Sequence, residues 1–396
     1  MSARDDLLLV GGTVVDPGAG LFGPLDIAVS GSRIAAIGAG LPREPGVRVI
    51  DVGGRLVTPG LIDMHVHVLT GTTSMAVEAD VAGVLSGVTT VVDAGTAGAA
   101  TFSAFPEHII PASRTRIVPF MHIARTGLAT SPDIASVNDI DAELTARALA
   151  QHAGLVAGIK VRMVSPALEV FGLDMLRTAK RLARDAGLPV MVHVGDIPKR
   201  ADPELGRETL ALLDAGDIVT HVFTANPGGM ISPDGVVFPE VFEAVERGVL
   251  FDAAHGRANL SFDIVRRILD QGVPLTSIST DLTRLGRTDV VFSLTEVMSR
   301  YLEFGFSVAE VIGMTTSRPA AAVGIADRAG RLEGGRPADI SVLELRDGSW
   351  LASDAVGETM TMSRLFVPVL TVLGGEPIMP EWGPHPSGWE PRRHHE

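Results

Sequence analysis

Cysteine is absent from this chain of 396 residues, which excludes disulfides, thiolate nucleophiles and thiolate metal ligands. Lysine is nearly absent: the 33 basic residues include only Lys160, Lys180 and Lys199, so each lysine invites a reason. No apolar run reaches the roughly 18 residues of a membrane span. The acidic start Met1-Ser2-Ala3-Arg4-Asp5-Asp6 leads only into the short run Leu7–Val10, too short for a secretory leader. A cytoplasmic chain with no membrane partner is the expectation. A basic surplus is also missing: the net charge of −14 argues against nucleic acid as a partner and serves solubility. The remainder, 46% hydrophobic and 20% charged, suits one large globular domain with a smaller one attached.

Residues 1–57 alternate short β-rich runs (Leu7–Val15, Asp26–Ser30, Arg33–Ile37, Val47–Asp51, Arg55–Val57) with Gly and Pro turns. Residues 331–380 share that texture, and the two ends together predict one small β-domain. Between them, residues 58–330 alternate apolar strands with amphipathic segments. The strands are expected at 61–68, 88–93, 116–122, 157–162, 190–194, 218–222, 249–253 and 276–280. Helical patterns fall at Asp141–His152, Asp174–Ala186, Pro203–Leu213, Phe238–Arg247, Ser261–Gln271 and Asp289–Phe304, most of them closed by a glycine stop signal. Such an α/β alternation predicts a (β/α)8 TIM barrel, with a doubly wound sheet as the other arrangement, since strand order is invisible in a sequence. The polar tail 381–396 is expected to be poorly ordered or to dock on a neighbour.

With thiolates excluded, a metal site must use histidine, carboxylate or a modified residue. In Leu61-Ile62-Asp63-Met64-His65-Val66-His67, strand alternation puts His65 and His67 on one face, about 7 Å apart. Alone, that pair is either a metal site or a hydrogen-bonded core feature. Functional groups of such barrels sit at the carboxyl ends of strands, and those ends here carry His65, His67, Lys160, His193, His221 and Asp281. Singly, His193 or His221 reads as a core histidine; six such groups at matching positions read as a set. Lys160 and Arg162 share one face of Gly158-Ile159-Lys160-Val161-Arg162. A buried ammonium is disfavoured, and burial lowers a lysine pKa. A neutral amine can take up CO2 as a carbamate, an anion with two oxygens able to bridge two cations. The alternative for Lys160 is a plain ion pair with an aspartate.

These residues carry a resemblance. The Pro59-Gly60-Leu61-Ile62-Asp63 lead into His65-Val66-His67 is followed by Gly87-Val88-Thr89-Thr90-Val91-Val92-Asp93-Ala94-Gly95. Later come Thr316-Ser317-Arg318-Pro319-Ala320 and Gly330-Arg331-Leu332-Glu333-Gly334-Gly335-Arg336-Pro337-Ala338-Asp339-Ile340. Nearly the whole chain resembles the amidohydrolase superfamily, in its dihydroorotase-like branch with a carboxylated lysine. The resemblance implies a (β/α)8 barrel with a small β-sandwich built from both termini. It implies two divalent ions: His65, His67 and Asp281 on the more buried one, His193 and His221 on the other, and a CO2-derived carbamate on Lys160 between them. Phe251-Asp252-Ala253-Ala254-His255-Gly256-Arg257 and Asp93-Ala94-Gly95-Thr96-Ala97-Gly98 resemble a deacetylase group that cleaves acetyl esters of α-hydroxy acids.

Histidine nitrogen with carboxylate-type oxygen suits zinc, although Mn or Fe fit the same ligands. A hydroxide shared by two such ions is a nucleophile needing neither Ser nor Cys, and Asp281 is the natural general base and then acid. Arg162 is the candidate to hold a substrate carboxylate through a bidentate pair, or else an internal partner of Asp63, Asp93 or Asp196. His255 could hydrogen-bond the substrate, tune a metal ligand or be structural, and Arg257 is a weaker candidate. The Gly-rich loop Asn226-Pro227-Gly228-Gly229-Met230 reads as a lid or as a simple connection. His108, His122, His152, His385, His394 and His395 read as structural or surface residues, with His122, at the end of the third strand, the one to revisit. The expected activity is hydrolysis of an acyl ester or amide of a small carboxylic acid. A cyclic-amide hydrolase of the dihydroorotase or hydantoinase kind shares the same centre, and a non-catalytic relative would have lost ligands. A homo-oligomer is implied by the resemblance alone.

Overall fold

A computed structural model describes residues 6–381; the rest of the tail, with His385, His394 and His395, lies outside the described residues. Seven parallel strands follow one another around a ring: Leu61–Val66, Val88–Asp93, Arg116–Pro119 with Met121–His122, Ile159–Arg162, Val190–His193, Ile218–Thr220 and Leu250–Asp252. The third strand divides its donors at Phe120: the Phe120 amide bonds Asp93 O (2.8 Å), and the Met121 amide bonds Gly158 O (2.9 Å).

The eighth strand, expected at 276–280, is present only as bridges. Ser277 pairs with Asp252 and Leu282 with Val66, both in parallel, and these contacts close the ring. The reason lies in its side chains. Ser277 and Ser279 donate to Asp252 (2.6 and 2.8 Å), and Thr280 donates to Asp63 through amide and hydroxyl (3.0 and 2.6 Å), so carboxylates take the place of a regular ladder. Closure makes the central unit a (β/α)8 barrel and rules out the open, doubly wound sheet.

The helices follow the apolar periodicity. Asp174–Ala186 ends at Gly187, whose φ of 67° provides the left-handed cap. The segment expected at Asp289–Phe304 is helical only over Leu294–Glu303, because Ser293 caps the Glu296 amide (3.2 Å) and starts the helix there. Two short helices that the periodicity did not mark, Val308–Met314 and Ser317–Ala322, follow it.

Both ends of the described chain pair into two sheets. Four strands between Leu7 and Asp51 form one, and a six-stranded sheet joins Thr13–Asp16, Leu21–Pro24 and Leu56–Pro59 to Ile340–Ser353, Thr359–Leu373 and Glu376–Ile378. Their shared core mixes Leu7, Leu9, Val14 and Ile27 with Ile340, Val342, Leu370 and Val372. Among the described residues, no helix is long and apolar enough to cross a membrane.

Candidate metal centre and active site

Strand alternation brings the expected ligands to one end of the barrel. The rings of His65 and His67 lie 5.5 Å apart, His221 lies 4.9 Å from His65, and His193 lies 4.1 Å from His221. Lys160 Nζ is 3.3 Å from His65 Nε2. Asp281 Oδ1 is 3.5 Å from His65 Nε2 and 3.2 Å from His67 Nε2. One potential ligand atom each from His65, His221 and Asp281 falls within 4.8 Å of the others. His65, Lys160 and His221 are buried, at 1%, 1% and 0% exposure.

Hydrogen bonds behind the rings fix which nitrogen faces the cluster. Thr220 spends its hydroxyl proton on Asp252 Oδ2 (2.8 Å), so it must accept from His65 Nδ1 (2.8 Å). Likewise Thr96 donates to Asp93 Oδ2 (2.7 Å) and accepts from His67 Nδ1 (2.9 Å). His221 Nδ1 donates to Ala254 O (2.6 Å). Each assignment leaves an unprotonated Nε2 turned inward. Burial reinforces this. It holds His65 and His193 well below the usual imidazole range, and it lowers His221 to about 3 against the opposing charge of Asp281. Burial likewise pulls the Lys160 ammonium down to about 7, with Asp281 opposing.

This arrangement fits a cation and little else. With its Nδ1 proton on Thr96, the neutral His67 ring turns an acceptor toward Asp281 Oδ1 at 3.2 Å, a pairing that a cation would satisfy. His193 Nε2 and His221 Nε2 are buried and have no hydrogen-bond partner. Divalent metal would relieve both defects.

The backbone is bent to make the site. His221, Ala254 and Asp281 have φ of 69°, 36° and 51°, in the left-handed region that side chains disfavour. Asp281 is held there by its amide bond to His65 O (2.7 Å). Two glycines make room: a Cβ on Gly95 would meet Lys160 Cβ at 2.4 Å, and one on Gly256 would meet Asp281 Oδ2 at 2.3 Å.

A cavity of about 250 Å³ opens onto this cluster, lined by His65, His67, Lys160, Arg162, His193 and Asp281 and also by Met75, Leu128, Ile197, Arg257, Asn259 and Leu285. A larger cleft of about 650 Å³ opens around Lys180, Asp214 and Asp217, near the starts of the strands, and contains none of these ligands.

The remaining candidates divide. Arg162 lines the cavity, but its internal partner is not Asp63, Asp93 or Asp196. Those three are engaged by Thr280, by Thr96 and by Ser165, and Arg162 instead bonds Asp133 (2.9 Å). His255 does not line the cavity, against the substrate-contact alternative: it is wholly buried, with Nε2 on the Tyr301 hydroxyl (3.0 Å). The turn at Ala254 redirects it. Arg257 lies at the mouth, half exposed and paired with Asp289 (3.0 Å). The loop 226–230 is pinned rather than free. Asn226 donates to Ala258 O (2.9 Å), Pro227 O accepts the Asp196 amide (2.8 Å), and Gly229 packs against Gly206. The functional neighbourhood that strand-end reasoning missed is Asp133, Thr96, Thr220 and Asp252. Asp252 had a signal, since it ends an apolar strand. Asp133 lies in an irregular connection and had none.

A ring of parallel strands with histidine, lysine and aspartate converging at their carboxyl ends defines a metal-dependent hydrolase. Residues 56–378 match the amidohydrolase family, and the chain belongs to it. It is similar to a deacetylase of Agrobacterium fabrum, 33% identical over 357 residues, which cover 89% of this chain and 86% of that one. A solved dihydroorotase superimposes with a TM-score of 0.86 at 31% identity, covering 97% of this chain and 100% of the other. A solved adenine deaminase gives the same TM-score at 29% identity, covering 95% and 100%. The family generally uses a divalent metal.

Proposed function

We propose that this protein hydrolyses an acyl, chiefly acetyl, ester or amide of a small carboxylic acid. The observation that carries the chemistry is the set of inward, unprotonated Nε2 atoms facing Asp281 and Lys160. His65, His67 and Asp281 would hold one divalent ion, His193 and His221 a second, and Lys160 would bridge them as its carbamate. Bound there, two such ions, most readily zinc, would supply Lewis acidity to the scissile carbonyl and lower the pKa of a water toward neutrality. Asp281, fixed at its positive φ, is placed to take a proton from the attacking water and to return it to the leaving oxygen or nitrogen. Arg162, in the same cavity, holds the substrate carboxylate, and Met75, Leu128, Ile197 and Leu285 keep water from the rest of the ligand. The similarity to a deacetylase over most of both chains supports the acetyl group as the one removed.

A cyclic-amide hydrolase is the second reading, favoured by the close superposition on a dihydroorotase. Acetylated α-hydroxy acids, N-acyl amino acids and cyclic ureides, screened with metal supplied, separate the two. Acetate release from the first or second class is expected; turnover of ureides alone overturns the deacylase reading. Lys160→Ala should abolish hydrolysis, with partial return on adding small carboxylic acids, and full activity in that variant overturns the carbamate bridge.

A further inference from the structure

Asp133 is 8% exposed and sits in the connection after the third barrel strand, away from every expected ligand in sequence. Its Oδ1 accepts from Arg162 Nη1 at 2.9 Å, and its Oδ2 lies 3.3 Å from His122 Nε2. His122 is 0% exposed, and its Nδ1 accepts the Ala124 amide at 2.9 Å. That bond leaves the imidazole proton on Nε2, the ring nitrogen nearer Asp133. Asp133 thus bonds Arg162 through one oxygen, while His122 stands against the other at 3.3 Å, a contact outside hydrogen-bond geometry.

This group is tied to the active site by register. His122 pairs directly with Lys160, and Arg162 lies two residues further on the same strand face. Arg162 reaches the cavity with 22% of its side chain exposed, and Asp133 is the side-chain acceptor on its guanidinium among the described residues. One N–H of five is used, which leaves the cavity-facing donors available to a planar carboxylate.

Two physical consequences follow. A long, flexible arginine is held in one orientation before substrate arrives, so less ordering remains to be done on binding. The guanidinium also shares its cavity with Lys160 and with the cations the ligands call for. A carboxylate on its far side offsets a charge that would otherwise oppose them.

We infer that Asp133, oriented by His122, is the positioning residue that fixes Arg162 as the anchor for a substrate carboxylate. The inference rests on the role proposed for Arg162 above. It assigns the substrate a single carboxylate that meets an arginine already half-neutralised, and it gives His122 a place in substrate selection without contact with substrate.

The test uses the metal-loaded full chain and a pair of probes: an acetylated α-hydroxy acid and its methyl ester, which keeps the acetyl group and lacks the negative charge. Acetate release is measured on both. Asp133→Asn should raise KM for the acid by about tenfold or more with kcat within about threefold, and should leave the ester nearly unaffected. Asp133→Glu should recover part of the loss. His122→Asn keeps an acceptor for the Ala124 amide and removes only the Asp133 contact. It should reproduce the same acid-selective rise, and it serves if Asp133→Asn fails to fold. Arg162→Gln separates the two levels of the argument. If its loss is equal on acid and ester, or if neither probe is turned over, the anchor reading falls and this inference with it. An acid-selective loss in Arg162→Gln, with none in the Asp133 or His122 variants, overturns this inference alone.

Discussion

A histidine presents one nitrogen to a cation in a fixed direction when its other nitrogen is engaged, and threonines engage the Nδ1 atoms of His65 and His67. Thr220 holds His65 and Thr96 holds His67, each backed by a buried aspartate, Asp252 or Asp93. Thr220→Val keeps the shape and removes the acceptor, freeing the His65 tautomer and depriving Asp252 of a donor. Metal affinity should fall by about 10–100-fold, measured by chelator competition, and unchanged affinity would sink this account of the shell. Asp133 makes a different prediction, about pH. Burial pushes its carboxyl up, but Arg162 and His122 outweigh burial and hold it well below its ordinary value of 3.8. A depressed pKa contributes stability that is complete above the unfolded value, and that is lost as pH falls through the folded one. The gap in melting temperature between the wild type and Asp133→Asn should be full down to about pH 4, and should narrow only below it as pH falls toward the depressed folded value. Scanning calorimetry across pH checks this, and a gap independent of pH contradicts it.

Elements show what a sequence reveals and what it hides. Apolar alternation located the seven regular barrel strands, and 3.6-residue periodicity with a glycine stop located Asp174–Ala186 to the residue. Both patterns are local, so they survive without tertiary information. The strand at 276–280 was legible by composition, yet its ladder is replaced by bonds from Ser277, Ser279 and Thr280 to carboxylates from other strands. The inward set of His65, His67, Lys160, His193, His221 and Asp281 was legible because strand ends face one cavity. His255 was not, because the positive φ of Ala254 breaks the alternation just before it. Asp133 was not, because only the folded chain brings it to Arg162. The glycine-rich loop 226–230 read equally as lid or connection, and packing decides for connection. The helix Leu205–Ala211 meets it so closely that a Cβ on Gly206 would lie 1.8 Å from Gly229 O. Gly206→Ala must push helix and loop apart, at a cost of about 1–3 kcal/mol. A urea midpoint unchanged from the wild type would show that the loop yields freely and restore the lid reading.

At the scale of the whole molecule, the last strands among the described residues secure the first strand of the barrel. Ser341, in the six-stranded sheet, accepts the Leu61 amide on its hydroxyl (3.0 Å) and donates that hydroxyl's proton to Gly87 O (2.7 Å). One side chain thus joins the start of the strand that carries His65 and His67 to the residue preceding the next strand. Asp339 extends the seam: its carbonyl accepts the Gly60 amide (2.8 Å), and its carboxylate takes Arg116 (2.8 Å) and the Gly374 amide (2.8 Å). Such a seam, between segments far apart in sequence, argues that barrel and sandwich unfold together. Ser341→Ala leaves the Leu61 amide and the Gly87 carbonyl buried without that partner, which costs about 1–3 kcal/mol. Because the residue touches no ligand, the loss should appear as a lower midpoint of one cooperative transition, followed by both far-UV circular dichroism and tryptophan fluorescence, with kcat unchanged. Two separated transitions, one for each unit, would show instead that the sandwich is an appendage and that the barrel holds its metal-binding end without it.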